Sequence, residues 1–199
     1  MRKMLNNELI NAIFWEPANN GAEELLIVSG KATANMASWL IKNLEGQAKS
    51  KIKIQLAVGM PLVLGINQTV HDGFKELMSN TYSKIISNFV CGYVCEDVPV
   101  DSELYIWLKN GIPFIAYNGS ANFTQLDFGT GRSCYMTQCD PIAALKYYRR
   151  VEKYTSYCNN YDVEDILVMW PPEKEEEATD TMTLSLLSRD GNVGKRSGL

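Results

Sequence analysis

The sequence predicts an α/β fold: a mixed β-sheet flanked by helices, in one domain over residues 1–170. Three observations predict it. Short apolar runs alternate with amphipathic stretches at helical spacing through the first half. In the middle, two apolar runs flank an Asn-Gly pair, a strong hairpin signal. The chain has 199 residues, 46% hydrophobic and 21% charged, which suffices for one sizeable core.

The elements follow in order. Leu25 to Val28 is an apolar run ending at Ser29-Gly30 and reads as a buried strand. Ala32 to Leu44 places Met36, Trp39, Leu40 and Leu44 on one helical face. Ile52, Ile54, Leu56 and Val58 alternate up to Gly59, a second strand. Val70, Phe74, Leu77 and Met78 fit an amphipathic helix, and Phe89 to Val94 a third strand. This strand–helix repetition predicts a parallel element. Leu104–Leu108 and Pro113–Tyr117 then flank Lys109-Asn110-Gly111 as a hairpin. Tyr105 and Trp107 alternate with Leu104 and Ile106, as in a strand packed on both faces. Cys134 to Gln138 reads as another short strand. Asp140 caps a helix with Pro141 in its first turn, expected to run to about Tyr157. Ile166 to Trp170 reads as a last strand. From Pro171 the composition turns polar, with the acidic run Glu173 to Glu177. Residues 171–199 are expected to be an acidic, polar linker leading towards something further.

Several function classes recede on composition. No apolar run approaches the ~20 residues of a membrane span, and Met1 to Glu8 lacks the apolar core of a signal peptide. A cytoplasmic protein is expected. The five cysteines (Cys91, Cys95, Cys134, Cys139 and Cys158) have no metal-finger spacing and read as buried free thiols. The net charge of −4 weighs against strong nucleic-acid affinity of the chain alone.

The most informative segment is Asp101-Ser-Glu103-Leu-Tyr-Ile-Trp, followed after the hairpin by Gly119-Ser120-Ala121-Asn122-Phe123-Thr124. The second part resembles the Gly-Ser-x-Asn half of the phospholipase D motif. The first part stands where that motif has His-x-Lys. Glu24 to Leu44, Ile52 to Gly59, His71 to Asn80, Val98 to Phe128, Cys139 to Pro141 and Thr183 to Gly191 resemble one branch, the NgoFVII-type restriction endonucleases. The resemblance implies a phospholipase D-like nuclease fold and DNA phosphodiester hydrolysis in restriction–modification. It also implies a homodimer, no metal or other cofactor, and base recognition by a separate domain.

In such a site two residues spaced by two on a strand face one phosphate together. The resemblance gives one imidazole the role of nucleophile, the other that of acid, and the lysines that of stabilising charge. Ser120 and Asn122 would hydrogen-bond phosphate oxygens. An orienting Glu of the family falls near Ser133. The candidate catalytic positions are thus Asp101 in the place of His, Glu103 in the place of Lys, Ser120 and Asn122. Charges ~4 Å apart at an effective dielectric of about 20 interact by about 4 kcal/mol, so reversing one sign costs on the order of 8 kcal/mol before screening. Asp101 cannot replace an imidazole near neutral pH.

Three readings follow: an inactivated restriction nuclease; a metal-dependent phosphodiesterase in which Asp101 and Glu103, doubled in a dimer, hold a hard divalent cation; and a non-catalytic dimerisation or assembly subunit. His71, the one histidine, reads as a surface or satisfied structural residue on a helix away from the motif. Lys31 follows a strand end where anions can bind, giving a weak DNA-backbone candidate. Arg149 and Arg150, beside Tyr147 and Tyr148, form a basic aromatic patch and are the other weak DNA-binding candidates.

Overall fold

The structure is a computed structural model that describes residues 4–44, 46, 48–80, 86–95, 99–129 and 133–172. The acidic run and expected linker from residue 173 onward, with the Thr183–Gly191 stretch, lie outside the described residues. The N-terminal part holds β1 (Met4–Leu5), α1 (Asn6–Ile10), a π-helical turn over Asn11–Trp15, α2 (Glu16–Asn19) and β2 (Glu24–Ser29). Next come α3 (Ala34–Leu44), β3 (Ile52–Val58), α4 (Pro61–Leu64), β4 (Ile66–Asn67), α5 (Gln68–Ser79) and β5 (Ile86–Val94). The hairpin strands are β6 (Glu103–Lys109) and β7 (Ile112–Gly119), followed by α6 (Gln125–Phe128), β8 (Tyr135–Cys139) and α7 (Pro141–Glu152). The last elements are β9 (Thr155–Tyr157), α8 (Val163–Ile166) and β10 (Met169–Trp170).

Eight strands form one mixed sheet in the order β1-β8-β7-β6-β2-β3-β5-β9. The centre β2-β3-β5 is parallel, as the strand–helix repetition predicts, and the remaining pairs are antiparallel. Alternate side chains sort to opposite faces. Leu25, Ile27, Ile54, Leu56, Tyr105 and Trp107 face the larger core, with Leu9, Ile13 and Phe14 of the N-terminal helices and with α3 and α5. Leu26, Val28, Ala57, Leu104, Ile106 and Leu108 face the smaller core, which receives Ala144, Tyr148 and Val151 of α7. Full burial of one such aliphatic or aromatic side chain contributes roughly 1.5–3 kcal/mol, so these two faces fix which strand residues point where.

Local signals hold at several points. Asn110 (φ 52°) and Gly111 (φ 72°) both adopt the left-handed conformation of the expected hairpin turn. The Asp140 carboxylate accepts from the Ile142 N–H at 3.0 Å and Pro141 opens the helix behind it. Three of the five free cysteines are buried (Cys91, Cys134 and Cys158) and two are half-buried.

Other expectations need correction. The helix from Pro141 ends at Glu152, not near Tyr157, and Thr155–Tyr157 is a strand on β5. The open edge of β5 recruits it: the Cys95 N–H donates to the Tyr154 carbonyl (2.8 Å) and the Cys158 N–H to the Cys91 carbonyl (3.1 Å). Ile166–Trp170 is not one strand. Val163–Ile166 turns as a helix, and only Met169–Trp170 pairs, parallel to Ile66–Asn67. The N-terminal helices carry no counterpart among the expected elements; their irregular winding, with a π-turn over Asn11–Trp15, blurs the helical period. Among the described residues no helix is long and apolar enough to cross a membrane.

Candidate functional site

The antiparallel register of β2 with β6 sets Val28 against Leu104. One step further, Ser29 comes opposite Glu103 at the carboxyl end of β2. Both belong to the larger-core face. Glu103 is 7% exposed. Its Oε1 accepts from the Gly30 N–H at 3.1 Å, and its Oε2 lies 2.6 Å from Ser29 Oγ. Asp101, exposed in the segment before β6, approaches from the other side. A Cβ at Gly30 would collide with Asp101 Oδ1 and crowd Glu103 Oε1 at 3.4 Å, so the two acids converge on a glycine that permits their approach.

Ser29 ties the two halves of the motif together. Its Oγ lies 2.6 Å from the Lys31 carbonyl as well as from Glu103, and it accepts the Phe123 N–H at 2.8 Å. A hydroxyl carries one hydrogen. With Glu103 ionised, that hydrogen must serve either the carboxylate or the carbonyl. With Glu103 protonated, the carboxyl donates to Ser29 and Ser29 donates to Lys31, and every partner is met. Burial pushes the Glu103 carboxyl up to about 7, opposed by the hydrogen bonds from Ser29 and Gly30 and reinforced by Asp101 and Asp127. The proton count and the burial agree: this acid is held close to neutral.

Asn122 is equally committed. Its backbone and side-chain N–H groups donate to Asp127 Oδ2 at 2.8 and 2.9 Å, and its Oδ1 accepts the Lys31 N–H at 2.9 Å. Thr124 caps α6 by accepting the Asp127 N–H at 3.2 Å, which fixes Asp127 for this task. Ser120 is exposed and accepts the Tyr135 N–H at 3.2 Å. It follows directly on Gly119, the register partner of Glu103, so it sits at the same end of the sheet. Ser133, also exposed, precedes β8 at that end. Asp101 and Glu103 meet at Gly30, and Asn122 is linked to Ser29 through Lys31. The spacing of the two acids predicts them together, and the resemblance adds Asn122 to them. Neither points to Ser29, Gly30 or Asp127; Ser29-Gly30 at a strand end was the available signal, but the register that brings it to Glu103 is tertiary.

The other candidates separate. Lys31 is exposed beside a cavity of about 330 Å³ at the carboxyl ends of β2 and β3, lined also by Met60, Leu64, Asn67 and Val70. Arg149 and Arg150 lie on α7, across the sheet from Glu103. They do not join Lys31 in one site. His71 is fully buried, with Nδ1 2.9 Å from the Tyr93 hydroxyl and Nε2 3.1 Å from Glu164 Oε1, a satisfied structural histidine as expected. Among the described residues of one chain, no three His, Cys, Asp or Glu side chains gather as a metal would require.

A mixed sheet covered on both faces, with a strand-start pair and a Gly-Ser-x-Asn loop meeting at one end, is the architecture of a phospholipase D-type domain. The comparisons agree. NucT from Helicobacter pylori superposes with a TM-score of 0.52 at 14% identity, covering 78% of this chain and 98% of that one. Nuc from Salmonella typhimurium, a phospholipase D family member, superposes with 0.52 at 11%, covering 78% and 95%. At such identities the likeness shows the fold. The chain belongs to the family of the NgoFVII restriction endonuclease N-terminal PLD domain, whose model matches residues 7–165. No curated protein matches the chain.

Proposed function

We propose that the chain is the nuclease domain of a type II restriction endonuclease of this family in which the ancestral, metal-independent phosphodiester hydrolysis has been lost. The carrying observation is the fate of the imidazole. The chain has one histidine, and it is buried between Tyr93 and Glu164 rather than at the motif. At the motif itself the lysine position holds Glu103, folded inward onto Ser29 and Gly30. A phosphate entering there meets two acid side chains and no imidazole to act as nucleophile or general acid. DNA as the ancestral substrate, a homodimer, a cytoplasmic location and a polar segment after residue 170 complete the reading.

The metal-dependent alternative is less favoured, because both oxygens of Glu103 already have partners. The test is a nicking assay on supercoiled DNA in EDTA and again with magnesium or manganese, with light scattering on the same sample. The expected outcome is a folded dimer of the 22.4 kDa chain that leaves the DNA intact in both conditions. EDTA-resistant nicking would overturn the proposal, and nicking that depends on the added metal would replace it with the alternative.

A further inference from the structure

Helix α7 carries a basic stripe on the face turned away from the sheet. Ala144, Tyr148 and Val151 are buried against the strands. Lys146, Arg149 and Arg150, with Lys153 just beyond the helix end, are exposed. Their spacing of three, four and seven residues puts them in one line, about 10 Å long at the helical rise. The segment from Pro141 to Lys153 holds these four cations and one acid, Glu152, within a chain of net charge −4. Positive charge is therefore concentrated here against the sign of the whole molecule.

The stripe is also pre-ordered. The Arg150 guanidinium lies 5.3 Å from the centre of the Tyr147 ring and that of Arg149 5.8 Å from the Tyr148 ring. Arg149 is partly spent on Glu152, at 2.8 and 3.1 Å. Exposed tyrosines continue the surface: Tyr154 is 47% and Tyr157 50% exposed, the latter beside Tyr148 and Glu152. Between the cations runs a shallow groove of about 730 Å³ with Ile142 and Leu145 on its wall. Its lining is mostly carbon, from Ile142, Ala143 and Leu145 and the stems of the long cations, so the case for a charged backbone rests on the cationic groups of the stripe and not on the groove floor.

The surface is separate from the degenerate motif. The Tyr147 hydroxyl lies 2.9 Å from Ser102 Oγ, and Ser102 points to the α7 side while its neighbours Asp101 and Glu103 converge on Gly30. We infer that α7 is a non-catalytic docking face for the phosphate backbone of duplex DNA, working on the opposite side of the sheet from the acidic site. Strand phosphates advance about 3.4 Å along the duplex axis each, so the stripe spans about three of them. The contacts are to phosphate alone and carry no base specificity. The inference rests on DNA being the substrate class proposed above.

The test is fluorescence anisotropy with a labelled duplex, from about 50 to about 200 mM NaCl. The variants are K146E/R150E/K153E and a charge-matched control on the α3 side, K42E/K49E/K51E. The milder K146Q/K153Q guards against misfolding of the first, and circular dichroism checks all three. The intact chain is expected to bind with a log–log salt slope of about −3, equivalent to a loss of roughly 60-fold over that range. The α7 variant should bind at least about tenfold more weakly with a flattened slope, K146Q/K153Q should fall between, and the control should stay within about threefold. Absence of binding at the lower salt, or equal losses in both charge-matched variants, would overturn the inference. So would capture of poly-glutamate through α7 without capture of DNA, which would assign the face to an acidic protein. Nicking read on the same duplex separates the two proposals: DNA bound and cut sinks the loss of catalysis alone, and DNA neither bound nor cut sinks this one alone.

Discussion

Glu103 is a buried acid at the start of β6, 7% exposed, with a hydrogen-bond partner at each carboxyl oxygen. It lies at the position proposed to correspond to the family's lysine, and its oxygens take up the Ser29 hydroxyl and the Gly30 N–H. Its carboxyl is pushed from an ordinary value of 4.5 up to about 7 by burial. The folded chain therefore holds this proton more tightly than the unfolded chain. The stability it contributes is fully present below about pH 4.5, falls as the pH rises towards 7, and levels off above, a difference of about 3 kcal/mol. Glu103→Gln is neutral at every pH, can accept from Gly30 and can donate to Ser29. Urea unfolding at pH 5 and pH 8 should show the variant within about 1 kcal/mol of the intact chain at the lower pH and more stable by about 2–3 kcal/mol at the higher. Equal pH dependence of the two proteins would show that Glu103 is ionised throughout.

At the scale of elements, α7 carries the cover of one sheet face and the proposed docking surface together. Its start is legible in the sequence because Asp140-Pro141 is a local signal. Replacing Asp140 by Ala removes the bond to the Ile142 N–H; thermal unfolding should register a loss of about 1 kcal/mol. A loss below about 0.3 kcal/mol would mean that solvent replaces the cap at no cost. The end of α7 is not legible. Nothing in Lys153-Tyr154-Thr155 forbids a further helical turn as Pro would, and only the unpaired edge of β5 turns Thr155–Tyr157 into a strand. The N-terminal helices escaped for the complementary reason. Leu9, Ile13 and Phe14 are fully buried, but the π-turn that carries Ile13 and Phe14 shifts the period on which an amphipathic pattern is recognised.

At the scale of the molecule, the site is a junction of three chain segments: the end of β2, the start of β6, and the loop from Ser120 to Asp127. Ser29 and Asn122 hold them to one another through Phe123 and Lys31. Changing the motif back is therefore more than a change of two letters. In Asp101→His with Glu103→Lys, an ammonium would face the Ser29 hydroxyl and the Gly30 N–H, so that donor meets donor in a buried place. The double variant is expected to be less stable by about 2 kcal/mol or more and to show no EDTA-resistant cleavage. Recovery of cleavage would prove the scaffold still competent and the two substitutions the whole of the loss.

The sequence by itself determined the α/β class, the parallel centre, the hairpin, the capped start of α7, and the Asp101/Glu103 spacing that places both acids at one end of the sheet. These rest on local rules: side-chain period, turn conformation and capping. The tertiary structure decided what those acids do. Burial and the β2–β6 register bring Ser29 and Gly30 to Glu103, hold its carboxyl near neutrality, and set Arg149 and Arg150 on the far face. Read by resemblance, the sequence suggests a pocket for an anion turned acidic. The fold shows the more buried of the two acids turned inward as a hydrogen-bonded strut, because a charge that loses water must find partners or take up a proton.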